Sequence, residues 1–486
     1  MSEFFCKKKK LLIVIFAIAI AVLVVPVITA GGYTFLCEDD FSFENGAKDL
    51  IRDYGNIYVG AFHRMVSYYN SNQGTYLFNY LMSALRIYSR AGLPGFHIFM
   101  ILSIALFCLT LGNLVRVIVK DWAGTLAVSI SLAVLIFSMQ YTQMGKEIFF
   151  WYTGVLYMLL IFILSFTSLT LSIRNIQTGK LSYAIWGMII GFFASGGSLG
   201  ITSANCGWLL AVLILSFPWD SKKTKGFFLP FAGAFVGALI NAVAPGNFNR
   251  LGDVKLSVWD GFVCTYKACI SDAKIMTSSR VFWGTIVFCF FMCIMLKVRI
   301  LPKNITVMQL VICLVGAELV KYFCMFPVAF PNSWSDMGEF SMRTFSSYEV
   351  ESKIMNIFIV MVLAQFVVES FAKVGEIVSA ALLALAVVFL FVSYPATKSE
   401  LKAGLSYAVI NDFRTGAIQE TYLAREYILS SLEMAEDGTD CILYVPSFKR
   451  AETMYGMGLG VDCEWIVNRS AAGLYDLHTV TIIYQE

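Results

Sequence analysis

Long uncharged apolar runs alternate with short polar breaks along the chain, and that spacing sets the architecture. A lipid-crossing helix needs about 20 mostly apolar residues at about 1.5 Å of rise each. Such runs lie near residues 11–31, 95–118, 122–139, 149–172, 182–198, 202–218, 227–244, 281–298, 305–326, 354–371 and 375–394, eleven in all. The pattern predicts an α-helical polytopic membrane protein with about 11 transmembrane helices. The runs at 182–198 and 202–218 are the tightest pair, because the Gly- and Ser-rich stretch SGGSLGITSANCG leaves little room between two crossings.

The polar breaks sort by charge. Lys7 to Lys10, Arg116 with Lys120, Arg174 with Lys180, Lys222 to Lys225, Lys297 with Arg299 and Lys303, and Lys373 all fall on one side, whereas the opposite breaks at 140–148 and 195–205 carry only Lys146. The positive-inside rule then predicts a cytoplasmic N-terminus and, with an odd number of crossings, an external C-terminus. The KKKK-plus-apolar start also fits a secretory leader, but its apolar run exceeds a leader's usual length and predicts an uncleaved anchor. The expected organisation is a transmembrane domain over 1–394, with external loops 32–94, 245–280 and 327–353, followed by an extracytoplasmic domain over 395–486. In that tail, residues 415–436 read as a helix, and 441–446 and 479–486 as strands, which predicts a small C-terminal α/β domain.

Composition agrees with a membrane protein: 486 residues, 58% hydrophobic and 14% charged, with mean hydropathy +0.72. The net charge of +3 is distributed by topology rather than gathered on a face, so no nucleic-acid partner is expected and the lipid bilayer is. Cys108, Cys289, Cys293 and Cys313 lie inside apolar runs and no C-x-x-C pair occurs, which argues against structural zinc. Cys441 and Cys463 are available to pair if the tail is in an oxidising compartment. The only histidines, His63, His97 and His478, are scattered, and no phosphate-loop motif for an ATP-driven motor is present.

Four polar constellations fall at the predicted outer boundary. The first is Glu38, Asp39 and Asp40, directly after the first apolar run. Adjacent carboxylates hold protons more tightly, which suits a general base or a metal ligand, although a solvated helix end would look alike. The second is MGKEIFFWYTG, where Glu147 sits just inside a span beside Trp151 and Tyr152, in a place that suits either a site acid or a structural ion pair. The third is VAPGNFNRL, a Pro-Gly helix stop carrying Asn247, Asn249 and Arg250, whose guanidinium matches phosphate geometry. The fourth is the 331–353 stretch with Arg343, placed to hold a lipid phosphate or to anchor in the headgroup zone. Glu318 and Lys321, three residues apart, read as a packing pair.

The acidic pair after the first helix, the acid–aromatic–Gly run Glu147 to Gly154, and APGN followed by Arg at Ala244 to Arg250 together resemble a family of bacterial multi-pass proteins. That family is grouped with the GT-C membrane glycosyltransferases, among them serotype-converting glucosyltransferases. The likeness extends over most of the chain, including WIVNRSAAGLYDLHTV near the C-terminus. It implies a GT-C-like fold and an enzyme of the bacterial inner (plasma) membrane. That enzyme would work on the external side, moving a sugar such as glucose from a polyprenyl-phosphate donor to a surface glycan such as the O-antigen of lipopolysaccharide, with inversion expected. It further implies that Asp39 or Asp40 acts on the acceptor, with Glu38 beside them, and that Arg64, in the GAFHRM segment similar to a family W-x-G-R element, touches substrate.

The chemistry is compatible with that implication. A carboxylate takes the acceptor proton, with Asp39, Asp40 and Glu147 as catalytic candidates, and fixed cations such as Arg250 and Arg343 stabilise the leaving phosphate. Glu38, Arg64, Trp151, Tyr152, Asn247 and Asn249 are the substrate-binding candidates. Asp39, Asp40 and Glu147 also offer an oxygen-rich set for Mg or Mn, a metal dependence the sequence leaves open. Two other readings stand beside the enzyme: a transporter or flippase of a lipid-linked glycan, and a non-catalytic envelope assembly protein.

Overall fold

Most of the apolar runs become helices, but of unequal length. The computed structural model describes residues 9–139, 142–216, 226–250, 257–301, 304–332, 342–370, 381 and 394–485. In chain order its helices are α1 (Lys9–Ala30), α2 (Asp39–Tyr54), α3 (Ile57–Ser71), α4 (Tyr76–Leu85), α5 (Ile87–Val119), α6 (Trp122–Ser138, ending in a wide turn), α7 (Thr142–Phe149), α8 (Tyr152–Thr178), α9 (Leu181–Ala194) and α10 (Leu199–Ser216). They continue as α11 (Leu229–Ala242), α12 (Pro245–Asn249), α13 (Val258–Ser278), α14 (Arg280–Met295), α15 (Val307–Asn332) and α16 (Met342–Ser370).

Among the described residues, α1, α5, α8, α15 and α16 are long and apolar enough to cross a membrane. The count rises to six if α13 and α14, bent by 81° at Ser279, form one broken span. Helices α6, α9, α10 and α11 are apolar but short. A 14-residue helix such as α9 reaches about 21 Å, less than the roughly 30 Å of a bilayer's hydrocarbon core. The run at 375–394 lies outside the described residues.

Side-chain exposure separates peripheral from central helices. Helix α1 leaves Leu11, Val14, Ile15, Ile18, Val22 and Val25 uncovered, the surface a lipid-facing helix presents. Helix α8 buries Leu156, Leu159, Phe162 and Phe166 and forms part of the bundle's centre. Asp121 starts α6 by accepting the Gly124 amide at 2.9 Å and also pairs with Lys9 at 2.5 Å, which ties α1 to the α5–α6 corner.

The predicted loops hold more helix than the sequence suggested. The 32–94 stretch is built from α2, α3, α4 and the start of α5, and 245–280 is largely α12 and α13. Asp260, Lys267, Asp272 and Lys274 interrupt the apolar pattern of α13, yet charge on a helix face does not prevent the helix from forming. In the third stretch, α15 runs on to Asn332 and α16 begins at Met342.

The C-terminal segment contains α17 (Tyr394–Lys402), α18 (Leu405–Thr415), α19 (Ala417–Met434), β1 (Asp440–Val445), α20 (Ile466–Leu474) and β2 (Thr479–Tyr484). The strands pair in parallel, with Asp440 opposite Thr479 and Val445 opposite Tyr484. Both strands and the α19 helix fall where the sequence placed them, while α17, α18 and α20 were not anticipated. Cys441 and Cys463 are both free thiols. The segment shares one apolar core with the bundle: Ser406 donates to the Leu23 carbonyl at 2.8 Å, and Lys48 on α2 pairs with Asp476 at 2.8 Å.

Candidate functional site

The acidic trio does not act as a unit, because each member points to different surroundings. Asp40 is fully buried near the start of α2. Its Oδ2 accepts the Cys37 amide at 2.9 Å, and its Oδ1 accepts both the amide (3.0 Å) and the hydroxyl (2.6 Å) of Thr153 at the start of α8. Burial pushes its carboxyl up to about 8, against these hydrogen bonds, which pull it down. Asp39 is exposed. Glu38 is half-buried and adopts a positive φ of 50°, a conformation that costs a side-chain-bearing residue on the order of 1–3 kcal/mol. Its amide donates to the Met457 carbonyl at 2.9 Å, which fastens it to the C-terminal segment.

The second constellation frames the same place. Glu147 on α7 is buried, and a Cβ on Gly154 would overlap its carbonyl oxygen, so the turn from α7 into α8 closes only around glycine. Trp151 stacks on Tyr455 (centroids 5.0 Å apart, planes at 15°) and donates its indole N–H to the Cys37 carbonyl at 3.2 Å. Tyr152 is buried between Phe96 and Phe99, with ring centroids 5.5 Å from each. The two aromatics thus serve the seam between bundle and C-terminal segment and the bundle's core respectively.

A cavity of about 320 Å³ opens in this seam, and its walls include Lys146, Arg425, Arg450, Tyr484 and Gly458. Arg425 is the buried cation on α19, donating from Nη2 to the Tyr455 carbonyl at 2.5 Å. Arg450 lies over the rings of Tyr484 and Phe448, at 5.1 and 5.8 Å. None of Lys146, Arg425 or Arg450 is held in an ion pair among the described residues. Desolvation depresses the ammonium of Lys146 and the guanidinium of Arg425 alike, although the charges of Glu147 and Glu452 also act on Lys146. Cations gathered in a partly dry place favour an anionic ligand, which would offset the cost of keeping them charged.

Glu38 does not line this cavity but lies directly behind Gly458, which does. A Cβ on Gly458, which has φ +81°, would fall 2.8 Å from Glu38 Cδ, so the glycine leaves the carboxyl its space behind the wall. The arrangement therefore sets the Glu38 carboxyl behind Gly458, part of a wall that also holds Lys146, Arg425 and Arg450, with Glu147 and Glu452 acting on Lys146. Among the described residues no three His, Cys, Asp or Glu side chains converge to hold a metal, and the Asp40 oxygens are already taken by backbone and hydroxyl donors.

The remaining sequence candidates lie elsewhere. Asn247 accepts the Gly74 amide at 3.0 Å and donates to the Asn241 carbonyl at 2.6 Å, while Asn249 donates to the Asn70 carbonyl at 2.7 Å. Both brace α12 against the end of α3. Arg250 is exposed, with its charge felt at Tyr157, and it does not line the cavity. Arg64 packs over Phe43 and Tyr68 at 4.8 and 5.5 Å. The side chain of Arg343 lies outside the described residues. Arg425 and Arg450 were missed. Arg425 left a readable trace, since it interrupts the otherwise apolar stripe Ile418, Ile428, Leu429, Leu432 of α19.

No protein-family model matches the chain, and no curated protein is significantly similar to it.

Proposed function

We propose that the chain is a membrane glycosyltransferase that takes a sugar from a polyprenyl-phosphate donor and places it on a glycan at the extracytoplasmic face of a bacterial plasma membrane. The N-terminus would be cytoplasmic and the C-terminal segment external. One observation carries this reading: Lys146, Arg425 and Arg450 line a cavity between the bundle and the C-terminal segment, with the Glu38 carboxyl against Gly458 of its wall. In the proposed reaction the acceptor hydroxyl oxygen bonds to the anomeric carbon as the bond from that carbon to the phosphate oxygen breaks. The bonding pair leaves on the phosphate, where the three cations stabilise it, and the hydroxyl proton passes to a carboxylate. Glu38 is the residue we assign to that proton, in preference to Asp40, whose oxygens are enclosed. Direct displacement of this kind inverts the anomeric centre.

A transporter of a lipid-linked glycan is the second reading, favoured by the ionisable groups buried within α13, α15 and α16, among them Asp272, Lys321, Glu349 and Lys353. Mass analysis of intact surface glycans from cells with and without the gene separates the two. If the chain is a transferase, deleting its gene leaves the glycan lighter by one sugar per modified unit, and Glu38→Gln at normal abundance reproduces that loss. A deletion strain with glycans of unchanged mass sinks the transferase.

A further inference from the structure

The larger cavity of the bundle, of about 750 Å³, is walled by α5, α6, α8, α10, α15 and α16 and is apolar over most of its length. Its charged lining gathers at one end. Lys120 follows the last residue of α5, Asp121 precedes α6, and Lys297 and Arg299 lie in the turn after α14. On α8 the lining runs from Leu169 to Gln177, near that helix's C-terminus, so this rim is at the opposite end of the bundle from Tyr152 and the basic cavity beside Lys146.

The cavity is one leaflet deep. On α15 its lining extends from Ile312 to Phe323, eleven residues on, which is about 16 Å at 1.5 Å per residue, or half of a hydrocarbon core of roughly 30 Å. Helices α10 and α15 touch at Gly207, where an added Cβ would lie 3.0 Å from Val320. They have parted by Gly316, one turn away on the same face of α15, where an added Cβ would meet nothing within 4 Å. Leu210 and Ile214 on α10 and Leu319 and Phe323 on α15 line the cavity and stay exposed, so it opens sideways onto the surface that lipid covers.

The charged rim is held in place. Buried Gln365 on α16 accepts the amides of Ile300 (2.9 Å) and Leu301 (3.0 Å) and donates to the Leu301 carbonyl at 2.9 Å, while Glu369, one turn on, accepts the Ile305 amide at 2.9 Å. These bonds pin the turn bearing Lys297 and Arg299 to α16. Lys297 (φ +52°) and Lys120 (φ +64°) hold left-handed backbone that glycine adopts freely. The helix dipole favours a cation at a helix C-terminus, but it does not reach Arg299, four residues past the end of α14. Asp121, the acid of this rim, is taken by Lys9 at 2.5 Å and by the Gly124 amide at 2.9 Å. Among the described residues, none of Lys120, Lys297 and Arg299 is in an ion pair.

We infer that this cavity is a binding site for an anionic phospholipid, with its acyl chains between α10 and α15 and its phosphodiester on Lys120, Lys297 and Arg299. An apolar slot of one leaflet's depth, open to the side and basic at its headgroup end, has the chemistry that selects such a lipid. The sugar donor is not its occupant, because the donor's phosphate is assigned to cations at the other end of the bundle. The site is independent of the transfer chemistry, and its test needs no activity.

The full-length protein, stripped of lipid in detergent, is given an equal mixture of phosphatidylglycerol and phosphatidylcholine with the same chains, and the retained lipids are read by native mass spectrometry. Wild type should keep phosphatidylglycerol over phosphatidylcholine by about tenfold. Lys297→Gly combined with Arg299→Ala should bring that ratio near one; glycine suits the backbone at 297 and both side chains are exposed, so the fold is kept. Gly316→Trp, which fills the cavity, should lower retention of both lipids several-fold, whereas Arg450→Ala, at the other cavity, should leave the ratio unchanged. Equal retention of the two lipids by wild type, an undiminished preference in the double variant, or full retention by a folded Gly316→Trp protein overturns the proposal. So does displacement of phosphatidylglycerol by an equimolar polyprenyl phosphate, which would make the cavity the donor's own. The wild-type ratio decides the matter even if a variant fails to fold.

Discussion

The Asp40 carboxylate accepts both the amide and the hydroxyl of Thr153, at 3.0 and 2.6 Å, across 113 positions of sequence. This bond joins α2 to the start of α8, and it makes Asp40 an anchor. Thr153→Val keeps the shape and removes the hydroxyl donor, and should cost about 1–3 kcal/mol because a buried acceptor loses a partner. Asp40→Ala, which strands the Cys37 amide as well, should cost more. Thermal unfolding in detergent, followed by tryptophan fluorescence, reads both, and a Thr153→Val protein as stable as wild type would contradict the anchoring role.

Burial raises the Asp40 carboxyl to about 8, so the folded chain holds its proton more tightly than the unfolded chain does. Stability from this group is therefore fully present below the ordinary carboxylate range of about 4 and declines as pH rises towards about 8, then levels. Wild type should lose thermal stability relative to Asp40→Asn between about pH 5 and about pH 8. Parallel curves for the two proteins would show that Asp40 does not titrate there.

Glu38 holds a backbone conformation that glycine adopts freely. Glu38→Gly should raise stability by about 1 kcal/mol while abolishing sugar transfer, the opposite signs marking strain kept for function. A variant that transfers sugar at the wild-type rate would remove Glu38 from the reaction.

Arg450 reaches the cavity from the exposed side, so Arg450→Ala should leave folding intact and weaken an anionic donor about tenfold, roughly the loss of one charge-assisted contact. Binding of a polyprenyl phosphate, read by fluorescence quenching at two salt concentrations, checks this. Equal affinity and equal salt dependence in variant and wild type would move the phosphate elsewhere.

Gly458→Ala should act on two fronts, since its φ of +81° disfavours a side chain and the new methyl would press on Glu38 Cδ. A loss of about 1–2 kcal/mol together with reduced transfer is expected. Reduced stability with unchanged transfer would separate the glycine from the Glu38 position.

Hydrophobic periodicity was enough to place α1, α5 and α8, because their runs are long and uncharged. It failed at α13, where four charged side chains disguised a helix as a loop, and it marked eleven apolar runs where five or six of the described helices are long enough to cross, because apolar composition does not reveal how short α9 or α11 is. At the site, Glu38, Asp40, Glu147, Trp151 and Tyr152 were all singled out by position, but their roles depend on which way each side chain turns, and one residue's shift along α2 separates the exposed Asp39 from the enclosed Asp40. Asn247 and Asn249 looked like ligand contacts because a helix stop with amides also describes a brace. Arg450 left no sequence signal, since only the fold of the tail brings it to Lys146.

Lys146 belongs to the bundle, whereas Arg425 and Arg450 belong to the C-terminal segment, and the Trp151–Tyr455 stack is where the two are clasped. The basic cavity is thus a coincidence detector for the protein's own assembly. A bundle lacking its tail keeps only the Lys146 ammonium of the set, and a tail detached from its bundle loses it, so the three cations stand together only in a chain that has finished folding.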